Sequence, residues 1–331
     1  MTKTQKQPSL KKVVVIGGGT GTYQVLLGLK KHPHLDLTAI VNMSDSGGSS
    51  GKLRKELGIL PPGDLRRALL ALSDLPLSKK TLEKLFEFRF RNGKLQGHSF
   101  GNLLLAALIE ITGRMDLAVS EASHILEVTG HVLPVTLDNT ELHARLANGK
   151  TITGEAAIDK RGKTEKPLTP IKQVFLKPHG KIFTPAAAAI RNADLLVLGP
   201  GDLYTSLIPN LLIKGVNEEI AKSKAPLIFI INLMTKHGET DDYQASDFVR
   251  EAQLYLGLAK HKLAGIIINK SLNTPLEILA WYKKFHALPV FNDLNKSQNF
   301  KIIEKPVAEP GAKFIRHHPD KLAAEIHKLL H

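Results

Sequence analysis

"VVVIGGGTGTYQVLLGLKK", Val13 to Lys31, decides how the rest of the chain is read. A run of β-branched residues enters a cluster of glycines and leaves as a helical pattern. The run has apolar residues on both faces, as a strand buried on both sides requires. Glycines let a backbone approach a phosphate closely, and the helix behind them offers free N–H groups and a positive dipole end. A tight strand-to-helix turn without a ligand is the plain alternative. The dinucleotide spacing G-x-G-x-x-G fails, because its third glycine would fall on Thr22 or on Gln24. The acidic residue expected after the second strand, "DLTAIVNM", is Asn42. The pattern therefore predicts an anion or nucleotide loop and argues against NAD.

Working outward, apolar strands alternate with amphipathic helices for most of the 331 residues. This rhythm predicts an α/β, Rossmann-like fold: a mostly parallel sheet with helices on both faces. Between about 131 and 184 the pattern changes to alternation with a hairpin signal at Asn148-Gly149, which predicts an antiparallel β insert. "KRGKTEKP" inside it reads as a solvated loop, and "LPVFND" near the end as a short strand. Residues 1–11 read as a disordered lead-in to a single domain spanning 12–331.

Composition narrows the function. There is no cysteine, so disulfides, thiolate metal sites and a cysteine nucleophile are excluded. No apolar run reaches the ~18 residues of a membrane span, and the start lacks a signal peptide's apolar stretch. A cytoplasmic protein is expected. The net charge of +14 is spread as singles and pairs, without long basic runs, and aromatics are 5%. That favours attraction of anionic small molecules over nucleic-acid binding. His32 and His34 flank Pro33, and His317 and His318 are adjacent. Neither arrangement puts two imidazoles on one helical face, so no zinc site is predicted.

Ligands of such sheets sit at the carboxyl ends of the strands, so the loops there hold the candidates. The first supplies Gly17, Gly18, Gly19, Thr20, Gly21 and Thr22. The second, "NMSDSGGSSGKLR", supplies Asn42, Asp45 and Ser46; its "GGSSGK" is one residue short of a Walker loop and Leu53 replaces the magnesium-binding hydroxyl. The third, "GILPPGDLRRAL", supplies Asp64, expected to cap the following helix. Asp45 and Asp64, if adjacent, suit Mg²⁺ between protein and phosphate. The fourth, "GHSFGNLLLA", matches G-x-S-x-G but follows a polar turn instead of a buried strand, so His98 and Asn102 are read as ligand-facing and no serine nucleophile is assigned. The fifth, "GPGDLYTSLIPN", supplies Gly199, Gly201, Asp202, Thr205, Ser206 and Asn210. The sixth, "NLMTKHGET", supplies Asn232 and Thr235.

Six motifs in this order resemble the CofD-like superfamily, and within it the YvcK branch of gluconeogenesis factors. The resemblance covers nearly the whole chain after residue 11. It implies a Rossmann-like core and a cytoplasmic location. The superfamily's enzymes are 2-phospho-L-lactate transferases, which move phospholactate from a guanosine diphosphate carrier to a deazaflavin alcohol with Mg²⁺. The YvcK branch is associated with UDP-sugars, notably UDP-N-acetylglucosamine, and with cell shape and growth on gluconeogenic carbon sources. The second loop departs from the transferases' acidic Asn-x-Gly-Asp-Asp type, since it carries one carboxylate, Asp45. Tyr282 and Arg316 are added as candidates for the nucleotide or sugar and for the diphosphate. A nucleotide sugar is the expected ligand, with a cell-wall or regulatory protein, or a second copy of the chain, as expected partners.

Overall fold

The computed structural model describes residues 10–295, 298–311 and 314–330. Most of the expected N-terminal lead-in, residues 1–9, lies outside them, and Lys11 already opens the first strand. The strands are β1 Lys11–Gly17, β2 Leu35–Val41, β3 His131–Pro134, β4 Glu141–Leu146, β5 Thr151–Thr153, β6 Ile171–Lys177, β7 Leu195–Leu198, β8 Leu227–Ile230, β9 Leu263–Asn269 and β10 Lys301–Lys305. Seven of them form one sheet in the order β10-β9-β8-β7-β1-β2-β3, with every pair parallel. β4, β5 and β6 form a separate antiparallel sheet in the order β5-β4-β6.

Successive strand residues face opposite sides. Every residue of β7 and β8, and Val13 to Ile16 of β1, is buried, so both faces of the large sheet are covered. The chain runs outward from β1 through β2 to β3, then returns to β7 on the other side of β1. The strand order thus reverses between β1 and β7. At that reversal the two following loops diverge and leave a crevice.

The two loops interlock there. A Cβ on Gly21 would stand 2.0 Å from the Pro200 carbonyl oxygen. A Cβ on Gly17 or Gly199 would meet the Thr22 hydroxyl oxygen, at 2.4 Å and 2.8 Å. The glycines therefore first serve the approach of one backbone to another. A second close approach fixes the C-terminal helix Pro319–His327, where a Cβ on Gly28 would be 2.2 Å from the Pro319 carbonyl oxygen.

Three details differ from the sequence reading. "HVLP" of the expected antiparallel region is β3, paired parallel to β2, so the antiparallel sheet starts only at Glu141. "KRGKTEKP" begins inside the helix Glu155–Thr164, whose Arg161 is buried and bonded to the Gly238 and Thr169 carbonyls. The last sheet strand is "KIIEK" and not "LPVFND", where Pro289 makes an isolated bridge with Met234. Proline cannot donate to a ladder, which disfavours that stretch as a strand.

The Gly21 contact predicts that Gly21→Ala loses at least about 1–3 kcal/mol of stability, the usual cost of overpacking a fixed contact. Gly58→Ala, where no atom lies within 4 Å, tests only a left-handed backbone position. Denaturation midpoints check this; a Gly21→Ala midpoint equal to wild type would show that the loops can part.

Candidate functional site

The crevice holds a cavity of about 430 Å³ lined by loops one to five and by the helix Glu155–Thr164. A second cavity, about 280 Å³, opens on its flank and shares Thr20, Gly21, Gly201 and Asp202 with the first. Together they make a two-lobed cleft whose waist is the pair of interlocked glycine loops.

The waist is set by the helix Gly19–Leu29. Gly19 has φ +69°, a left-handed conformation that a β-carbon disfavours. Its N–H donates to the Asp64 carboxylate at 2.9 Å. Gly18 is pressed against the same carboxylate, since a Cβ there would be 2.4 Å from it. Asp64 was expected to cap its own helix. That helix is Gly63–Leu72 with Pro62 at the cap, and Asp64 lies in its first turn. The carboxylate instead holds the first glycine loop, because the turn Pro61-Pro62-Gly63 starts the helix one residue earlier.

Charges of both signs line the larger lobe. Arg66, Arg67 and Arg89 form one wall. Arg66 is buried, donating to Asn102 at 3.0 Å and to the Phe86 carbonyl at 3.3 Å. Burial lowers its pKa to about 10, and repulsion from Arg67 and Arg89 adds to that, so this wall carries positive charge still short of counter-ions. Arg89 comes into reach because the helix read as "LEKLFEFRFR" stops at Glu87 and Arg89 then bridges to Ser99. Facing this wall stand Asp45, Asp64, Glu155, Asp159 and Asp202. Burial, together with the Asp45 carboxylate, pushes the Glu155 carboxyl up.

Lys236 sits at the edge of the acidic wall. Its ammonium reaches Asp159, Asp202 at 2.6 Å and Glu239 at 2.7 Å. Burial alone lowers its pKa, but Glu239, Asp202 and Asp159 outweigh that and hold it charged. Those three carboxylates are spaced to surround a metal ion, yet an ammonium of this chain already occupies the place. Asp45 and Asp64 have no lysine between them. Asp64 has the exposed Arg67 at 3.5 Å as its ion-pair partner, with Arg66 also pulling on it, and together Asp45 and Asp64 fit a hard cation such as Mg²⁺.

The other candidates fall into three groups. Thr20, Asn42, Asn102, Thr205 and Ser206 line the larger lobe. Asn42 and Thr205 spend their side chains on the wall itself: Asn42 accepts from Ser44 and donates to the Thr205 carbonyl at 3.2 Å, and the Thr205 hydroxyl donates to Glu239 at 3.0 Å. Asn232, Tyr282 and Arg316 line the smaller lobe beside Phe314. Asn232 donates to the Gly201 carbonyl at 2.8 Å, and the Tyr282 hydroxyl accepts the Ile315 N–H at 3.1 Å.

Gly17, Thr22, Ser46, His98, Gly199, Asn210 and Thr235 do not line either lobe. They brace the loops that do. His98 contacts the Ser49 hydroxyl at 3.3 Å, and Ser99 caps the helix Phe100–Thr112 by accepting the Asn102 N–H. Asn210 donates to the Ser206 carbonyl at 2.9 Å. Thr235 is bonded through N–H and hydroxyl to Leu288. The Ser46 hydroxyl accepts the Ala156 N–H at 2.9 Å while its own N–H reaches Glu155 at 3.2 Å, tying the second loop to the small-sheet helix.

Sequence reading missed Arg66, Arg67, Arg89, Glu155, Asp159 and Lys236. "DLRR" contained a usable signal, two arginines in the first turn of a helix that starts at a ligand loop. Glu155 and Asp159 had none, because only the packing of the small sheet brings them to the cleft.

Burial raises the Asp64 pKa from 3.8 to about 6, against the opposing pull of Arg67 and with the help of Asp45. A carboxyl raised on folding stabilises the fold fully below its unfolded value and loses that contribution as pH rises through about 6. The loss amounts to about 3 kcal/mol for the ligand-free protein. Asp64→Asn keeps an acceptor for Gly19 and cannot ionise. Its stability relative to wild type should rise by about 2–3 kcal/mol between about pH 4 and pH 7.5. Guanidinium midpoints at the two pH values check this; a difference independent of pH would show that Asp64 is not desolvated.

Comparison with known proteins agrees with this fold. A sequence profile of the family described as "2-phospho-L-lactate transferase CofD" matches residues 13–308. The gluconeogenesis factor of Bacillus subtilis is 41% identical over 323 residues, covering 96% of this chain and 98% of that protein. The gluconeogenesis factor of Halalkalibacterium halodurans is 45% identical over 291 residues, covering 86% and 85%. A crystal structure at 2.60 Å of a member of the UPF0052 family from Bacillus halodurans superposes with a TM-score of 0.88 at 41% identity, covering 96% of this chain and 99% of that one. The chain belongs to the CofD family and groups with its gluconeogenesis factors.

Proposed function

We propose that this protein binds a nucleotide-linked sugar of the UDP-N-acetylglucosamine class and acts as a cytoplasmic regulator, linked to cell shape and growth on gluconeogenic carbon sources. The observation that carries this reading is the two-lobed cleft with a glycine waist. A sugar nucleotide has two bulky ends joined by a diphosphate. The waist offers to the diphosphate the first-turn N–H groups of the helix Gly19–Leu29 that follow Gly19, whose own N–H Asp64 holds. Arg316 in the smaller lobe and Arg67 in the larger lie on either side to pair with it. Tyr282 and Phe314 offer aromatic surface to one end of the ligand, and the polar larger lobe suits the other. A protein partner, such as a cell-wall or regulatory protein, would read the loaded state.

A second reading is a Mg²⁺-dependent transferase acting on a nucleotide diphospho-linked donor. The description of the matching family and the Asp45–Asp64 pair support it. Bound there, Mg²⁺ would neutralise diphosphate charge. Asp45 and Asp64 would hold it, while Lys236 would keep Asp159 and Asp202 in place.

Calorimetry with UDP-N-acetylglucosamine tests the binding that both readings require, and an assay for released nucleoside phosphate separates the two. Saturable binding, weakened at least tenfold by Gly19→Leu, is expected because a side chain there would project into the waist. Absence of binding by any nucleotide overturns both readings. Under the transferase reading Asp45→Asn with Asp64→Asn abolishes Mg²⁺-dependent release of nucleoside phosphate; under the regulatory reading no such release occurs with any acceptor.

A further inference from the structure

On the side of the molecule formed by the first crossover and the last helix, the fold gathers three histidines. His32 and His34 lie in the turn between the helix Gly19–Leu29 and β2; His327 ends the helix Pro319–His327. One potential ligand nitrogen from each lies within 4.8 Å of the other two. The Nε2 atoms of His34 and His327 are 2.8 Å apart, so one donates its proton to the other. The His32 and His327 rings are stacked with centroids 5.1 Å apart, and the His34 ring stands edge-on to His327 at 4.8 Å.

The cluster is held from its backbone. His32 N–H donates to the Leu29 carbonyl, Leu35 N–H to the His32 carbonyl, and Lys11 N–H to the His34 carbonyl. The Gly28–Pro319 contact fixes the other partner. Two imidazoles are thus presented by a rigid turn and the third by a docked helix, which is the preorganisation a metal site needs. Tetrahedral zinc with bonds of about 2.0–2.1 Å sets its ligand nitrogens about 3.3 Å apart. His34 and His327 stand 2.8 Å apart and the other pairs within 4.8 Å, so the rings, now stacked or edge-on, turn about their side-chain torsions to aim their lone pairs at one ion. Lys31, next to His32 in the chain, is paired with Asp320 at 2.5 Å.

We propose that His32, His34 and His327 form a site for a divalent transition-metal ion, with Zn²⁺ its best match, that clamps the C-terminal helix to the first βα unit. Neutral imidazoles suit Zn²⁺, whereas Mg²⁺ demands oxygen ligands. For both Nε2 atoms to bind, the donating ring changes to its other neutral tautomer, its proton passing through solvent from Nε2 to Nδ1, so each imidazole stays neutral. A water completes the fourth position. The clamped helix follows directly on Phe314 to His317, which line the smaller lobe of the cleft. The metal would therefore steady one wall of the cleft from outside it.

The test uses the full chain without an affinity tag. Zn²⁺ is titrated in competition with a chromophoric chelator, and the stoichiometry is read by native mass spectrometry. One Zn²⁺ per chain is expected, undisplaced by excess Mg²⁺, and accompanied by a higher thermal midpoint. His34→Gln and His327→Gln should each weaken binding at least about tenfold and remove the thermal gain. Their metal-free thermal midpoints serve as the check on folding, and His32→Gln provides the third ligand should either fold poorly. No Zn²⁺ at one per chain, or equal affinity in wild type and all three variants, overturns the proposal.

Discussion

The two glycine loops at the sheet's reversal point meet backbone to backbone, and most other features of the cleft follow from that contact. Gly21 leaves no room for a β-carbon against the Pro200 carbonyl, and Thr22 fills the space that side chains on Gly17 and Gly199 would take. β1 and β7 are neighbours in the sheet, but their loops must turn to opposite sides. Only residues without side chains let the loops remain in touch while doing so. The waist therefore has a fixed width. Lobes form on both sides because the loops diverge immediately beyond it.

Charge organisation adds a second level. The acidic wall does not stand uncompensated, since Lys236 neutralises the part formed by Asp159, Asp202 and Glu239. What remains unbalanced is Asp64, buried and resisting ionisation, opposite three crowded arginines. An apolar ligand relieves neither wall. A ligand carrying phosphate relieves the basic wall, and one that brings a cation with it relieves both. The polarity of the cleft thus selects a chemical class before shape is considered.

Much of this was legible in the sequence, for a definable reason. The strand-to-loop motifs are local: a β-branched run, glycines and a helix start are contiguous, and a parallel sheet forces all such loops to one edge. That is why Gly19, Thr20, Gly21, Asp45, Asp64 and Gly201 could be placed together. What could not be read depends on contacts distant in sequence. Glu155 and Asp159 arrive on a helix of the small sheet, and Arg89 arrives through a bridge to Ser99. His34 and His327 are 293 positions apart. The opposite error has a local cause. His98 and Asn210 looked like ligand groups because they are polar and follow glycine motifs, yet loops this tight need polar residues of their own to hold their backbones; Thr22 looked the same and instead fills the space between Gly17 and Gly199. Asp64 shows both sides at once: a carboxylate at a helix start does bind an N–H group, but one on another helix.

The dependence of the smaller lobe on Phe314 to His317 has a consequence for synthesis. The first glycine loop leaves the ribosome about 300 residues before that lobe can exist, a delay of about 15–60 s at ordinary elongation rates. During that interval the first strands can pair and the larger lobe can take shape, while the second half of the cleft has no floor. A chain cut short before the helix Pro319–His327 would retain the glycine motifs and the parallel sheet and still lack the docked helix behind Arg316. Completion of the cleft thus waits on the helix Pro319–His327 and its docking against Gly28.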